Sequence, residues 1–159
     1  MTIALIRIDD RLIHGQVVVG WGSHIRPVGY LVVDDRLAGN ELEGDLYRMG
    51  LPPGIEARFA PEAGIASVFA TLDQTEGPWV VLVPDVATTY RIAQEGALLD
   101  REVNLGGVHS ADGIKTTVPY IRLDKRDRAA LEGLAELGIV TTARALPDSP
   151  PVPLSAFIA

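Results

Sequence analysis

The segment W-V-V-L-V-P, residues 79–84, is apolar throughout, as a central strand covered by helices on both faces must be. Similar runs of strand length recur along the chain: Ile3 to Ile8, Tyr30 to Val33, Ile55 to Phe59, Trp79 to Val83, Glu102 to Leu105, Thr117 to Leu123 and Ile139 to Ala143. Between them, apolar residues step by three or four, which is helix spacing. His14 to about Ile25 carries Val17, Val18, Trp21 and Ile25 on one face; segment 38–49 carries Leu42, Leu46 and Met49; Pro61 to Leu72 carries Ile65, Val68, Phe69 and Leu72. Pro61 suits a first helical turn, where its missing N–H does no harm. Asp85 to Ala97 and Asp124 to Leu137 complete the set. The latter has an N-cap aspartate, a core face of Leu131, Leu134 and Leu137, and a stop at Gly138.

This alternation specifies an α/β fold: a three-layer, open, mainly parallel sheet of about six or seven strands with helices on both faces. Two regions depart from it. From Gly106-Gly107 through Tyr120 there are glycines and a proline but no helix period, so a loop is expected, with an antiparallel or edge element near 108–123. Pro147 to Pro153 holds four prolines in seven residues and reads as an extended arm. The expected organisation is one domain over 1–146 followed by a proline-rich tail over 147–159.

Composition removes several function classes. A net charge of −7, with the 14 Lys and Arg scattered, argues against a nucleic-acid binder, whose footprint is a basic patch. The chain has no cysteine, so disulfides, thiolate metal sites and a cysteine nucleophile are all excluded. The N-terminus lacks a basic n-region and turns acidic by Asp9, and no apolar run approaches the ~18 residues of a membrane helix. These features read as a cytoplasmic protein. G-W-G at Gly20 to Gly22 imitates a dinucleotide fingerprint, but it follows a helix pattern and lacks the third glycine.

The segment R-I-D-D-R-L-I-H-G-Q, Arg7 to Gln16, leaves the first strand where a parallel sheet hands its chain to the first crossover helix. That carboxyl edge is where open α/β sheets place their chemistry. His14 is the candidate nucleophile, since imidazole is a neutral nucleophile near pH 7; the alternative is a histidine that merely caps or packs. The surroundings suit a phosphoryl group. Arg11 offers a planar fork, Leu12, Ile13 and Gly15 offer backbone N–H groups at the helix start, and Gly15 admits close approach. Asp9 and Asp10 read either as helix-start carboxylates or as orienters of His14 and Arg11, and Asp34, Asp35, Pro84 and Asp85 border the same edge if the strands are parallel. A magnesium site on these carboxylates is disfavoured because Lys115 and Lys125, the only lysines, lie at no strand end of the core sheet. No metal and no cofactor is expected. His109, in N-L-G-G-V-H-S, is either a loop residue or a border of the site, and His24 complements a helix C-terminus.

R-I-D-D-R-L-I-H-G-Q-V with a tryptophan soon after closely resembles the N-terminus of the enzyme IIB component of the mannose/fructose/sorbose branch of the bacterial phosphoenolpyruvate-dependent sugar phosphotransferase system. V-V-D-D, L-P-P-G, V-N-L-G-G, P-Y-I-R-L-D and L-A-E-L-G-I follow as landmarks in the expected order. The resemblance implies a cytoplasmic phosphotransferase, peripherally associated with membrane transporter components. Its histidine, here His14 with Nδ1 as the phosphorylated atom, takes a phosphoryl group from a phosphohistidine IIA partner and gives it to sugar bound by the membrane IIC and IID components. Arg11 takes the place of the phosphate-stabilising arginine. The alternative is a regulatory phospho-switch of the same fold without sugar transport. Two departures stand out: the tail is proline-rich where many relatives end in a further helix, which leaves a homodimer open, and no IIA domain is fused to the chain.

Overall fold

The computed structural model describes residues 2–157. Its sheet has nine strands: β1 (Ile3–Asp9), β2 (Gly29–Val33), β3 (Glu56–Ala60), β4 (Trp79–Val83), β5 (Val103–His109), β6 (Ile114–Lys115), β7 (Ile121–Leu123), β8 (Thr141–Ala143) and β9 (Val152–Pro153). The order is β3-β2-β4-β1-β5-β7-β6, with β8 pairing β5 and β9 pairing β8. The strands β3, β2, β4, β1 and β5 are mutually parallel, so all their carboxyl ends lie along one edge. The excess over the expected six or seven strands comes from the two-residue strands β6 and β9. The pair β6–β7 is antiparallel and lies in the expected 108–123 region.

Strand alternation sorts the core into two layers. On one face Ile6, Ile8, Leu31, Val33, Val81 and Val83 meet three helices: α4 (Ile65–Leu72), α5 (Val86–Gln94) and α6 (Lys125–Glu136). On the other face Tyr30, Val32, Val80 and Leu82 meet Leu12, Ile13 and Val17, together with Leu37 of α2 (Asp35–Ala38). The first crossover begins as a π-helical segment, Gln16–Trp21, and continues as α1 (Gly22–Ile25). Three consecutive valines lose side-chain freedom in an α-helical turn, which lowers the cost of the wider winding.

Several expectations are corrected. Segment 38–49 is helical as α3 (Glu41–Arg48), but Leu42, Leu46 and Met49 face outward with exposures of 75%, 61% and 80%. The inward face is instead set by Gly44, where an added Cβ would stand 3.3 Å from the Phe59 ring, with Tyr47 packing beside it. Helix α4 starts at Ile65 rather than at Pro61, because Gly64 takes φ +77° and resets the chain. Leu137 caps α6 half-exposed instead of joining its core face. The loop expected from Gly106 is strand: β5 runs through Gly106-Gly107 to His109.

Strand β5 also forks. Val103 to Leu105 pair with β8, whereas Val108 and His109 pair with β7, so the two glycines sit where the neighbouring strands part. The proline-rich segment is extended but docked rather than free: Val152 and Pro153 pair antiparallel with β8 and Phe157 is buried in the core. The last two residues of the expected tail lie outside the described residues. Among the described residues no helix is long and apolar enough to cross a membrane.

Candidate functional site

Alternation along β1 sends Ile6 and Ile8 to one face and Arg7 and Asp9 to the other, where the π-helical segment lies. After Asp9 the chain turns sharply. The Asp10 amide donates to the Gly107 carbonyl at 3.0 Å and the Leu12 amide to the Asp9 carbonyl at 3.0 Å. Leu12 adopts φ +58°, a left-handed conformation that is unfavourable for a residue with a Cβ. Its side chain and that of Ile13 are buried in the core layer below, which holds the turn in that shape.

The turn folds Arg11 and His14 back over Asp9, whose side chain is fully buried. His14 Nε2 lies 3.0 Å from Asp9 Oδ2. The Arg11 backbone N–H donates to Oδ1 at 3.1 Å, Arg11 Nε to Oδ1 at 3.3 Å, and Arg7 Nε to Oδ2 at 3.3 Å. Burial by itself would push the Asp9 carboxyl above its ordinary range. The hydrogen bonds from His14 and from the Arg11 amide, with the charge of Arg7, outweigh that and hold it below. Asp9 is therefore a carboxylate and only accepts, so the Nε2 that faces it carries the proton. In the neutral ring the lone pair then resides on Nδ1, which has no hydrogen-bond partner among the described residues.

The same loop carries unengaged donors. The His14 side chain is 17% exposed and that of Arg11 48%, so both reach solvent from a buried base. Arg11 is steadied by Asp9 and by Gln16 Oε1, 3.1 Å from Nη2, which leaves Nη1 free of hydrogen bonds among the described residues. The backbone amides of Ile13 and Gly15 carry no hydrogen bond there either, and a Cβ on Gly15 would meet nothing within 4 Å. Leu12 departs from the expectation, because its amide is already committed to Asp9. A buried carboxylate, an oriented imidazole and an open guanidinium edge suit the binding and transfer of a small anion such as a phosphoryl group.

The expected border residues divide. Asp10 and His109 come together beside the site: Asp10 Oδ2 accepts the His109 backbone N–H at 2.8 Å and contacts its Nδ1 at 2.9 Å. Asp9 Oδ1 and His109 Cε1 both lie within 3.4 Å of where a Cβ of Gly107 would stand, so the glycine lets the two approach. Asp34, Asp35, Pro84 and Asp85 lie along the same edge, but the three aspartates are engaged in holding backbone. Asp34 caps α2, Asp85 caps α5 through Thr88 N–H at 2.7 Å, and Asp35 accepts the Glu62 N–H at 2.8 Å. Among the described residues no three His, Asp or Glu gather as a metal site would require. Arg7 and Gln16 are contributors that residue-by-residue reading passes over. The strand period shows only that Arg7 shares a face with Asp9 at i and i+2; the other partners of Arg7 are distant in the chain, and Gln16 reaches both arginines only through the folded turn.

Comparisons with known proteins identify the family. The family model described as PTS system sorbose subfamily IIB component matches residues 3–159. The N-acetylgalactosamine-specific phosphotransferase enzyme IIB component 2 of Escherichia coli is 29% identical over 153 residues, covering 96% of both chains. The mannose-specific EIIAB component of the same organism is 29% identical over 158 residues, and this chain spans 49% of that longer protein. Among solved structures, the E. coli N-acetylgalactosamine-specific IIB component 1 superimposes with a TM-score of 0.84 at 25% identity, over 96% of this chain and 99% of that one. The IIBSor domain of the Klebsiella pneumoniae sorbose permease gives 0.82 at 26% identity, over 97% and 94%. The chain belongs to the sorbose subfamily of IIB components of the sugar phosphotransferase system, PTS.

Proposed function

We propose that this IIB component is a phosphocarrier in which His14 Nδ1 accepts a phosphoryl group from a phosphohistidine IIA partner and delivers it to a sugar bound by membrane IIC and IID components. The supporting observation is the 3.0 Å contact between Asp9 and His14 Nε2, which leaves the free lone pair on Nδ1. As the Nδ1–P bond forms, the donor's N–P bond breaks and the donor imidazole leaves with that electron pair. No proton need move at His14: the ring keeps its Nε2–H, and the positive charge it gains falls against the Asp9 carboxylate. Arg11 and the amides of Ile13 and Gly15, unengaged donors on the same loop, meet the equatorial oxygens in this reading, where charge accumulates. In the second step a sugar hydroxyl oxygen attacks phosphorus, the P–N electrons return to Nδ1 and the hydroxyl proton passes to solvent or to the membrane partner. Transfer between two histidines is nearly balanced, so positioning and charge stabilisation suffice.

A IIA donor is supported by the mannose-specific relative, which is named EIIAB and of which this chain matches about half. Relatives of nearly equal similarity are named for N-acetylgalactosamine, mannose and sorbose, so the part shared with this chain is the phosphoryl step, and the sugar is chosen in the membrane components. A cytoplasmic place at the membrane surface follows from that partnership. The test is incubation with phosphoenolpyruvate, the general phosphotransferase proteins and a IIA protein, then mapping of the acid-labile phosphate. Phosphate on His14 is expected; phosphate on His109 instead, or persisting in His14→Ala, overturns the reading.

A further inference from the structure

Arg7 is fully buried in the fork of β5, although it lies in no exposed part of the site. Its guanidinium is over-determined. Nη1 donates to the Asn104 side chain and, at 2.7 Å, to the Arg144 carbonyl; Nη2 reaches Gln16 Oε1 and the Ala145 carbonyl at 3.4 Å. Trp21 covers it, ring centroid 5.4 Å from Cζ, and anchors its own indole N–H on the Ala145 carbonyl at 2.9 Å. Gly106 leaves the space: a Cβ there would stand 2.2 Å from Arg7 Cζ. All these ties orient a charge against Asp9 Oδ2, the same oxygen that meets His14 Nε2.

Asp9 has a second clamp, Arg11, but it is half-exposed and is the group an incoming phosphoryl oxygen recruits. When the Arg11 fork turns outward, its backbone N–H still holds Asp9 Oδ1, and Arg7 is the side-chain charge that stays on Oδ2, the oxygen facing His14. We infer that Arg7 is a positioning residue for phosphoryl transfer, acting through Asp9 on the tautomer and aim of His14, and that residues 144–145, which lead into the proline-rich segment, serve the reaction by holding it. The inference rests on the His14 reading above for its catalytic consequence but not for its structural one.

Two variants displace the guanidinium while leaving Arg7, Asp9 and His14 in the chain: Gly106→Ala, whose methyl occupies the guanidinium's place, and the milder Asn104→Ser. The nitrogen-15 NMR spectrum of the unphosphorylated protein reports the His14 tautomer. Phosphorylation by phosphoramidate, a small P–N donor that loses ammonia as the phosphoryl group passes to His14, reports the first step in a single turnover without a protein partner. In Gly106→Ala the single Nε2–H form is expected to give way to a mixture, and the single-turnover phosphorylation rate at saturating phosphoramidate to fall on the order of 10- to 100-fold with the half-saturating concentration within about twofold, the scale of a small misplacement of a reacting group. Asn104→Ser is expected to move both readouts the same way by less, and it carries the test if Gly106→Ala does not fold. A purely structural Arg7 predicts a lower Tm with the tautomer and the phosphorylation rate of the folded protein unchanged, and that result overturns the inference. Should the wild type take no phosphate on His14, the phosphocarrier reading falls, while the tautomer measurement still decides the role of Arg7.

Discussion

Asp9 and Asp10 are consecutive residues at the end of β1, and each holds a histidine. Asp9 meets His14 through Nε2 at 3.0 Å, and Asp10 meets His109 through Nδ1 at 2.9 Å. The pairs share a composition and little else. Asp9 turns inward, where it is fully buried and bonded to two arginines; Asp10 turns outward and is about one-third exposed, facing a His109 side chain that is about half exposed. An ion pair in water contributes roughly 0–1 kcal/mol, whereas a buried carboxylate cannot exist without its partners. The same two residue types therefore make an orienting device on one side of the strand and a surface tie on the other. The rings also differ in which nitrogen remains for chemistry: Nδ1 in His14 and Nε2 in His109.

Replacing the two histidines breaks the comparison most sharply. His14→Ala is expected to abolish phosphoryl acceptance with the fold retained by circular dichroism, whereas His109→Ala is expected to slow labelled transfer by less than about fivefold, the rate equivalent of an exposed pair. Comparable losses in the two would mean that the pairs are not functionally distinct.

Replacing the carboxylates comes next. Asp9→Asn leaves the Arg7 guanidinium buried without its counter-charge, and the loss of one partner of a buried pair costs about 3–5 kcal/mol. The amide can also donate to Nε2 and stabilise the wrong tautomer, so transfer in the folded fraction is expected to fall on the order of 10²- to 10⁴-fold. Asp10→Asn is expected to lose less than about 1 kcal/mol by urea titration and to transfer within a few-fold of wild type. Arg11→Ala, which keeps the fold but removes the open guanidinium edge, is expected to slow transfer on the order of 10²-fold, the effect of removing one charge-stabilising donor. An unchanged rate would take Arg11 out of the mechanism.

These residues also show where the sequence was legible and where it was not. The alternation of apolar runs specified the layers because parallel strands buried on both faces have no polar side to hide, and Trp79 to Val83 is buried at every position. His14 and Arg11 were visible because charge beside a glycine at a strand end is a local pattern. The inward pair was not local. Arg7 depends on Asn104, Gly106 and the carbonyls of Arg144 and Ala145, nearly 100 or more residues away, so its role exists only once β1, β5 and the chain leaving β8 are assembled. The glycines at 106 and 107 misled for the same reason: their signal resembles a turn, while their cause is the volume of Arg7 and the approach of Asp9. Leu42, Leu46 and Met49 have correct helical period and the wrong face, because a short helix on an edge strand needs only Gly44 and Tyr47 against Phe59.

The smallest expected effect is in acid. The folded-state pKa of Asp9 lies below that of the unfolded chain, near 3.9, so its ionisation stabilises the fold at pH values above that. The contribution is lost as pH falls through the lower folded value, because the native carboxylate must then take up a proton that the unfolded chain already holds. Asp73, held low first by its hydrogen bond from Arg101, acts in the same window and in the same direction. Wild-type stability alone therefore cannot separate them, but a difference can: Asp73 contributes equally to wild type and to Asp9→Asn, and cancels. The gap in urea-unfolding free energy between those two proteins is expected to stay constant from about pH 7 to pH 5 and to narrow below about pH 4. A gap that stays level down to about pH 2.5 would mean that Asp9 is not held as a carboxylate by its buried partners, and the contrast with Asp10 would lose its physical basis.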